Sequence, residues 1–448
     1  MLSLPLVNAH RTLSLLLAML AACSHRPAPT EAAAEEARTP VIPDMALERA
    51  PKRRAPQEVS RGREDEEVIM VEDVPDGSYI LRAPSIIRSA PAREAVALGV
   101  LAVGTRLPRH EPIDAPGCKG GWVPVEPRGF ACVALDVVEH EPEALVQPVV
   151  RGAAMLPTVY GRVRRDAKVF ADADAVRAGL SAPPVVSLTV ERRGSVKVEG
   201  ETYWRTRHGL ISRRDVRRLR GSRFQGVALG EDVSLPIAWT LPGERRSVPV
   251  RAKPSKRART TGRLAAHTAL TEPDLDTVTD FVEVLGKGWV ARKDIRVALR
   301  TERPVDLQPD ELWLDVNLKE QTLVAYRGEN PVYATLVSTG KARYETPIGE
   351  FRIERKVAMR TMNSRQGAKE TYAVDKVPWT AYFKDSYALH TAYWHSGFGR
   401  VRSHGCINLA PADAQRIYGW MGPHAAPGWR EVYATDEQPG TRVVIRNG

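Results

Sequence analysis

Cysteine is scarce in this chain, long apolar runs are scarcer still, and acidic residues are outnumbered. Only four cysteines occur among 448 residues, Cys23, Cys118, Cys132 and Cys406, so each thiol can be considered singly. Beyond the first two dozen residues no segment approaches the ~20 consecutive apolar positions a spanning helix needs. That excludes a helical membrane domain and leaves a soluble body, tethered at most. Lys and Arg number 65 against 54 Asp and Glu, a net charge of +11 with a pI near 9.5, which favours an acidic partner. Basic runs such as Arg213-Arg214 and Arg217-Arg218 read as solvated faces, and no nucleic-acid-binding module lies among them. The hydrophobic content of 43% suffices for globular domains, and at ~100–200 residues per domain the length suggests three or four.

The N-terminus places the rest. Leu13-Ser14-Leu15-Leu16-Leu17-Ala18-Met19-Leu20 follows Arg11 and precedes Ala21-Ala22-Cys23. An apolar core this short, with a positive charge before it and small residues after it, is the pattern of a secretory signal. Leu20-Ala21-Ala22-Cys23 resembles a bacterial lipobox. That resemblance implies a signal peptide over 1–22, lipidation of Cys23 and, with Ser24 following, a periplasmic protein anchored to the outer membrane. A plain signal peptide cleaved near Ala22 is the alternative. In that compartment the carboxylate-rich cell wall or anionic lipid fits the basic charge. If Cys23 carries lipid, Cys118 and Cys132 can pair and leave Cys406 alone; two unpaired thiols are the other possibility. An oxidising compartment permits the disulfide, which would stabilise a small domain by roughly 3 kcal/mol. Residues 23–67 are rich in Pro, Ala, Glu and Arg and read as a disordered tether.

From about 68 to 303 a pattern recurs. Trp122-Val123-Pro124-Val125 leads to Gly129-Phe130-Ala131-Cys132-Val133 and Asp136-Val137; Trp204-Arg205-Thr206 to Gly209-Leu210-Ile211 and Asp215-Val216; Phe281-Val282-Glu283-Val284 to Gly288-Trp289-Val290 and Asp294-Ile295. Each unit joins an aromatic-led strand, a glycine turn, a second apolar strand, and an acidic residue before an aliphatic one. The pattern resembles the bacterial SH3-like domain, a small β-barrel. The resemblance implies three such domains, at 68–147, 148–235 and 236–303, that bind the cell wall or pack against an enzyme domain.

The most informative stretch is Ser403-His404-Gly405-Cys406-Ile407-Asn408-Leu409, with His390 sixteen positions before the cysteine. A cysteine in a turn of small and polar residues, with histidines near it in sequence, points to an activated thiol, because the thiolate is the nucleophile and needs a base to form. A buried structural cysteine is the alternative. Before it, Leu312, Leu314, Val316 and Leu318 alternate with Trp313, Asp315 and Asn317, predicting a half-buried strand. Strands are also predicted over Thr322–Tyr326, Val332–Val337 and Phe351–Ile353, and Pro411 opens a helix with Ala414, Ile417, Tyr418 and Met421 on one face.

These strands, with Ser338-Thr339-Gly340-Lys341, Thr346-Pro347-Ile348-Gly349, His390 and Ser403-His404-Gly405-Cys406, resemble the L,D-transpeptidase (YkuD-type) catalytic domain over residues 308–448. The fold class expected is mainly β, with a helix after the cysteine. The resemblance implies a thiol enzyme acting on peptidoglycan stem peptides. Cys406 would attack as the nucleophile, His390 would be the base, and Thr391 would line the site near the imidazole. The amides of Gly405 and Cys406 would stabilise the oxyanion, and Ser403, His404 and Asn408 would shape the site and hold substrate. Asparagine stands at 408 where many relatives carry arginine. His404 and His395 are rival candidates for the base. A hydrolase or carboxypeptidase would need the same residues, since only the acceptor differs. No cofactor or metal is called for: a zinc site from His390, His395, His404 and Cys406 matches no standard spacing.

Overall fold

The computed structural model describes residues 79–81, 83–107, 110–132, 148, 150, 152–181, 187–241, 247–271, 273–275, 280–284, 286–364, 371–426 and 428–448. The signal segment, Cys23, the tether and Asp136-Val137 of the first repeat lie outside them.

The C-terminal segment supplies, in chain order, β1 (Leu312–Asn317), β2 (Thr322–Arg327), β3 (Asn330–Leu336), β4 (Gly349–Arg352), β5 (Arg355–Asn363), β6 (Ala373–Lys384), β7 (Tyr387–Thr391), β8 (Ile407–Leu409), α1 (Pro411–Trp420), β9 (Trp429–Tyr433) and β10 (Arg442–Arg446). A six-stranded sheet runs Val227–Ala228, β3, β2, β1, β10, β4, with β1 and β10 parallel. Leu314 and Val316 of β1, Leu323 and Ala325 of β2, and Val443 and Ile445 of β10 point into one core. Trp379, Ala381 and Phe383 of β6, Leu389 of β7 and Ile407 of β8 meet them there, with Ala414, Ile417 and Tyr418 of α1.

The alternation in β1 predicts one wet face; instead both faces are buried. Trp313, Val324 and Tyr326 pack on the far side with Phe224, Ile237, Trp239 and Ala298 from upstream. The polar members of that face are satisfied internally. Asp315 takes two bonds from Arg446, at 2.7 and 2.9 Å, and Asn317 Oδ1 accepts the amides of Lys319 and Glu320. A buried carboxylate survives because it is paired.

The helix is locked by one residue. Asp413, wholly buried, accepts from Tyr333 Oη at 2.6 Å, Thr335 Oγ1 at 2.5 Å and the Gly226 amide at 2.9 Å. Asp413→Ala would strand three donors, and we expect it to cost about 3 kcal/mol or more of stability. A urea midpoint matching wild type would refute this.

The three repeats share a local form but not separate barrels. Each has two strands joined through a positive-φ glycine: Gly129 at 99°, Gly209 at 120° and Gly288 at 112°. At the second and third, a Cβ would come within 2.2 Å of Phe170 O and 2.6 Å of Arg251 O, so only glycine permits the approach. In both of these units a 3-10 turn ends at the acidic residue, Asp215 or Asp294, before the next strand. No closed barrel is found among the described residues. Instead one twelve-stranded sheet runs Val216–Leu219, Tyr160–Val163, Leu188–Glu191, β6, β5, β9, Ala97–Leu101, Ser85–Arg88, Phe130–Cys132, Trp122–Pro124, with β7 and β8 branching from β6. Strands of the first and second units thus extend the C-terminal segment's own sheet on either side. The third unit forms a three-stranded and a five-stranded sheet. Cys118 and Cys132 are disulfide-bonded, with Cα atoms 5.6 Å apart.

Candidate active site

The register of two short strands assembles the site. Parallel pairing of β7 with β8 sets Leu389 opposite Ile407, His390 opposite Asn408 and Thr391 opposite Leu409. Side chains alternate in a strand, so Leu389, Ile407 and Leu409 enter the core while His390 and Asn408 share the other face. Cys406, two positions before Asn408, falls on that same face, where it packs with Val357, Tyr382 and Ala388. His390 and Cys406 thus stand on one face, two register positions apart across adjacent strands.

Hydrogen bonds define the protonation states. His390 is buried, and Nδ1 donates to the Thr391 carbonyl at 2.9 Å, so the neutral ring keeps its lone pair on Nε2. Burial pushes its pKa down to about 4, the Thr391 carbonyl opposing, so the imidazole is neutral and able to accept a proton at pH 7. Cys406 Sγ lies 3.6 Å from Ser386 O. Burial pushes the thiol up to about 11, partly offset by the Ala388 amide. The resting pair is therefore thiol and imidazole, not thiolate and imidazolium.

His395 is engaged elsewhere. Its Nδ1 accepts the Gly397 amide at 3.2 Å, which leaves the ring proton on Nε2, 3.0 Å from the Asn408 amide group. That proton calls for the amide oxygen of Asn408 as its acceptor. With the carboxamide in that sense, the otherwise unpartnered Oδ1 is satisfied. Burial, with Arg402, His390 and Arg162 nearby, lowers His395 to about 3. His404 is half-buried, its ring 4.4 Å from that of Tyr344 and 5.5 Å from that of Tyr372. His390 is the histidine whose face and tautomer suit a base.

The turn before the cysteine holds itself. The Gly405 amide donates to Ser403 Oγ at 3.0 Å, and Ser403 Oγ donates to the Cys406 carbonyl at 2.5 Å. The Gly405 N–H, expected to face an oxyanion, is thus bonded inside the turn. Thr346 Oγ1 donates to the Gly405 carbonyl at 2.7 Å and accepts the Gly340 amide at 3.0 Å, tying two loops together. Thr391 meets the imidazole through its carbonyl, while alternation turns its wholly buried side chain away from His390.

Gly405 has φ of +112°, and a Cβ there would sit 2.5 Å from the Tyr387 ring. Gly405→Ala is expected to displace the cysteine and cost on the order of a hundredfold in turnover. Activity within threefold of wild type would refute it. Tyr382 and Tyr387 meet Cys406 and Gly405 only through tertiary packing, and no local signal marks them as site residues.

A half-buried thiol, a neutral imidazole on the same face and a tight glycine turn are the parts that a cysteine nucleophile with a general base requires. Comparisons with known proteins narrow the class. Residues 311–445 match the family model YkuD, the L,D-transpeptidase catalytic domain. The chain is 29% identical over 126 residues to the "Putative L,D-transpeptidase YciB" of Bacillus subtilis (strain 168), covering 25% of this chain and 62% of YciB. The match thus spans under two thirds of that relative. Among solved structures, an Enterococcus faecium L,D-transpeptidase mutant is 20% identical with a TM-score of 0.24, covering 30% of this chain and 50% of that one. An L,D-transpeptidase from Mycobacterium smegmatis is 20% identical with a TM-score of 0.25, covering 35% of this chain and 71% of that one.

Proposed function

We propose that the chain is a peptidoglycan L,D-transpeptidase that cross-links stem tetrapeptides through a Cys406 thioester. The observation that carries this reading is the shared face of Cys406 and His390, set by the β7–β8 register inside the matched segment. Cys406 Sγ attacks the carbonyl of the third residue of the donor stem while His390 Nε2 takes the thiol proton. The tetrahedral intermediate collapses as that proton passes to the departing amine, leaving a thioester. A side-chain amine of a second stem then attacks the thioester, His390 removes its proton, and the thiol returns. With the Gly405 amide consumed, the Cys406 amide is the oxyanion donor we assign from this turn. His404 with Tyr344 forms one wall, and Ser403 and Asn408 hold the turn and the base-side loop.

The same residues would serve an L,D-carboxypeptidase or hydrolase, with water as acceptor. Further parts of the proposal are lipidation of Cys23, outer-membrane anchoring in the periplasm, and attachment of the basic upstream units to the wall. The test incubates the full chain with purified tetrapeptide muropeptides and reads the products by mass spectrometry. Cross-linked dimers support transfer, tripeptides alone support hydrolysis, and unchanged substrate overturns both.

A further inference from the structure

The chain between the base and the nucleophile is gripped by side chains from far upstream. Tyr160, fully buried, stacks on Tyr393 with ring centroids 4.0 Å apart and donates its hydroxyl to Lys376 O at 2.8 Å. Arg162 donates to Trp394 O at 3.1 Å. His267 Nε2 meets Phe398 O at 3.1 Å, and Arg296 Nε donates to Gly399 O at 3.2 Å. Residues 393, 394, 398 and 399 of one loop are thus each met by an upstream side chain, the first two by the second repeat and the last two by the third.

That loop sets the base. Thr391 O, which fixes the His390 proton on Nδ1, begins it; the Trp394 ring lies 5.8 Å from His390; and His395 within it engages Asn408 beside the cysteine. The four upstream residues all lie outside 311–445, the segment that matches the family model. We propose that Tyr160, Arg162, His267 and Arg296 are positioning residues for the Cys406 reaction, so that the catalytic segment needs the upstream units to hold its base in register. The proposal rests on His390 being the base, as in the proposed function. The argument is geometric: a proton acceptor loses effect quickly when its distance or angle to the donor changes, and carbonyl anchors on both flanks restrict that change.

The test uses the full chain and reads the rate of Cys406 alkylation by iodoacetamide at pH 7 and near pH 10.5, with His390→Ala as reference. At pH 7 alkylation depends on the base; near pH 10.5 solvent hydroxide replaces it. Arg162→Ala and Arg296→Ala should each slow the pH 7 rate on the order of tenfold, and together bring it to the His390→Ala level. Near pH 10.5 their rates should equal wild type. Arg162→Lys should restore the pH 7 rate to within about threefold. Rates at pH 7 within twofold of wild type would overturn the proposal, as would an equal drop at both pH values, which marks a general structural role. If His390→Ala itself leaves the pH 7 rate intact, the base assignment fails and takes this inference with it. If only His390→Ala is slow, the inference fails alone.

Discussion

Cys406→Ala should abolish acyl transfer, by on the order of 10⁴–10⁶-fold, whereas His390→Ala should leave a pH-dependent remnant. The difference follows from the resting protonation states. The thiol, pushed up to about 11, is protonated at pH 7, and His390, lowered to about 4, is neutral. Wild-type acylation should therefore stay nearly flat from about pH 5 to 8, because the acceptor is already competent and the thiol loses its proton only during attack. His390→Ala lacks the acceptor, so its rate follows the small thiolate fraction set by solvent. That fraction rises tenfold per pH unit below about 11. At pH 7 we expect a loss of roughly 10²–10⁴-fold for His390→Ala, shrinking toward pH 10. Single-turnover acylation followed by intact mass would read both profiles. A His390→Ala profile parallel to wild type would mean that another group takes the proton. His395 would then be the first to re-examine, although its ring nitrogens are committed to Gly397 and Asn408.

Much of this site was legible from local pattern. Alternation marked β1, the apolar spacing after Pro411 marked the face of α1, and Ser403-His404-Gly405-Cys406 marked the turn. Glycine-led hairpins in the upstream segment were legible for the same reason: each demands a positive φ that few residues adopt. What local pattern does not carry is the partner of a strand. Nothing in Leu188–Glu191 announces that it pairs in parallel with β6, nor in Ala97–Leu101 that it pairs with β9. The three repeats therefore read as separate barrels, while strands of the first two extend the C-terminal segment's sheet. The second buried face of β1 has the same cause, since Phe224, Ile237 and Trp239, which cover it, precede Trp313 by 89, 76 and 74 positions. Asp413 stands in the first turn of α1. Its three donors come from β3 and from the Gly226 amide, contacts that only tertiary packing creates. The consumed Gly405 amide was likewise invisible, because it depends on the Ser403 rotamer rather than on residue type.

Lys356→Met should raise stability at and below neutral pH and lower it near pH 10.5. Lys356 lies on the core face of β5, 2% exposed, with Nζ donating to the Met421 carbonyl and lying 4.4 Å from the Tyr418 ring centroid. Burial lowers its pKa from 10.5 to about 7. Between those values the unfolded chain binds a proton that the folded chain does not, so stability rises with pH across the interval. Below about 7 both states carry the charge, and the folded state bears the full penalty of burying it, about 5 kcal/mol at most from a shift of this size. Methionine removes that penalty but leaves the Met421 carbonyl without this donor, a loss of roughly 1–3 kcal/mol at every pH. The two terms differ in their pH dependence, so the stability curves of variant and wild type should cross between about pH 8 and 10. Urea unfolding at pH 6, 8 and 10.5 would show the crossing as a change of sign in the midpoint difference. A variant less stable than wild type at pH 6 would mean that the Met421 and Tyr418 contacts outweigh the cost of the buried charge.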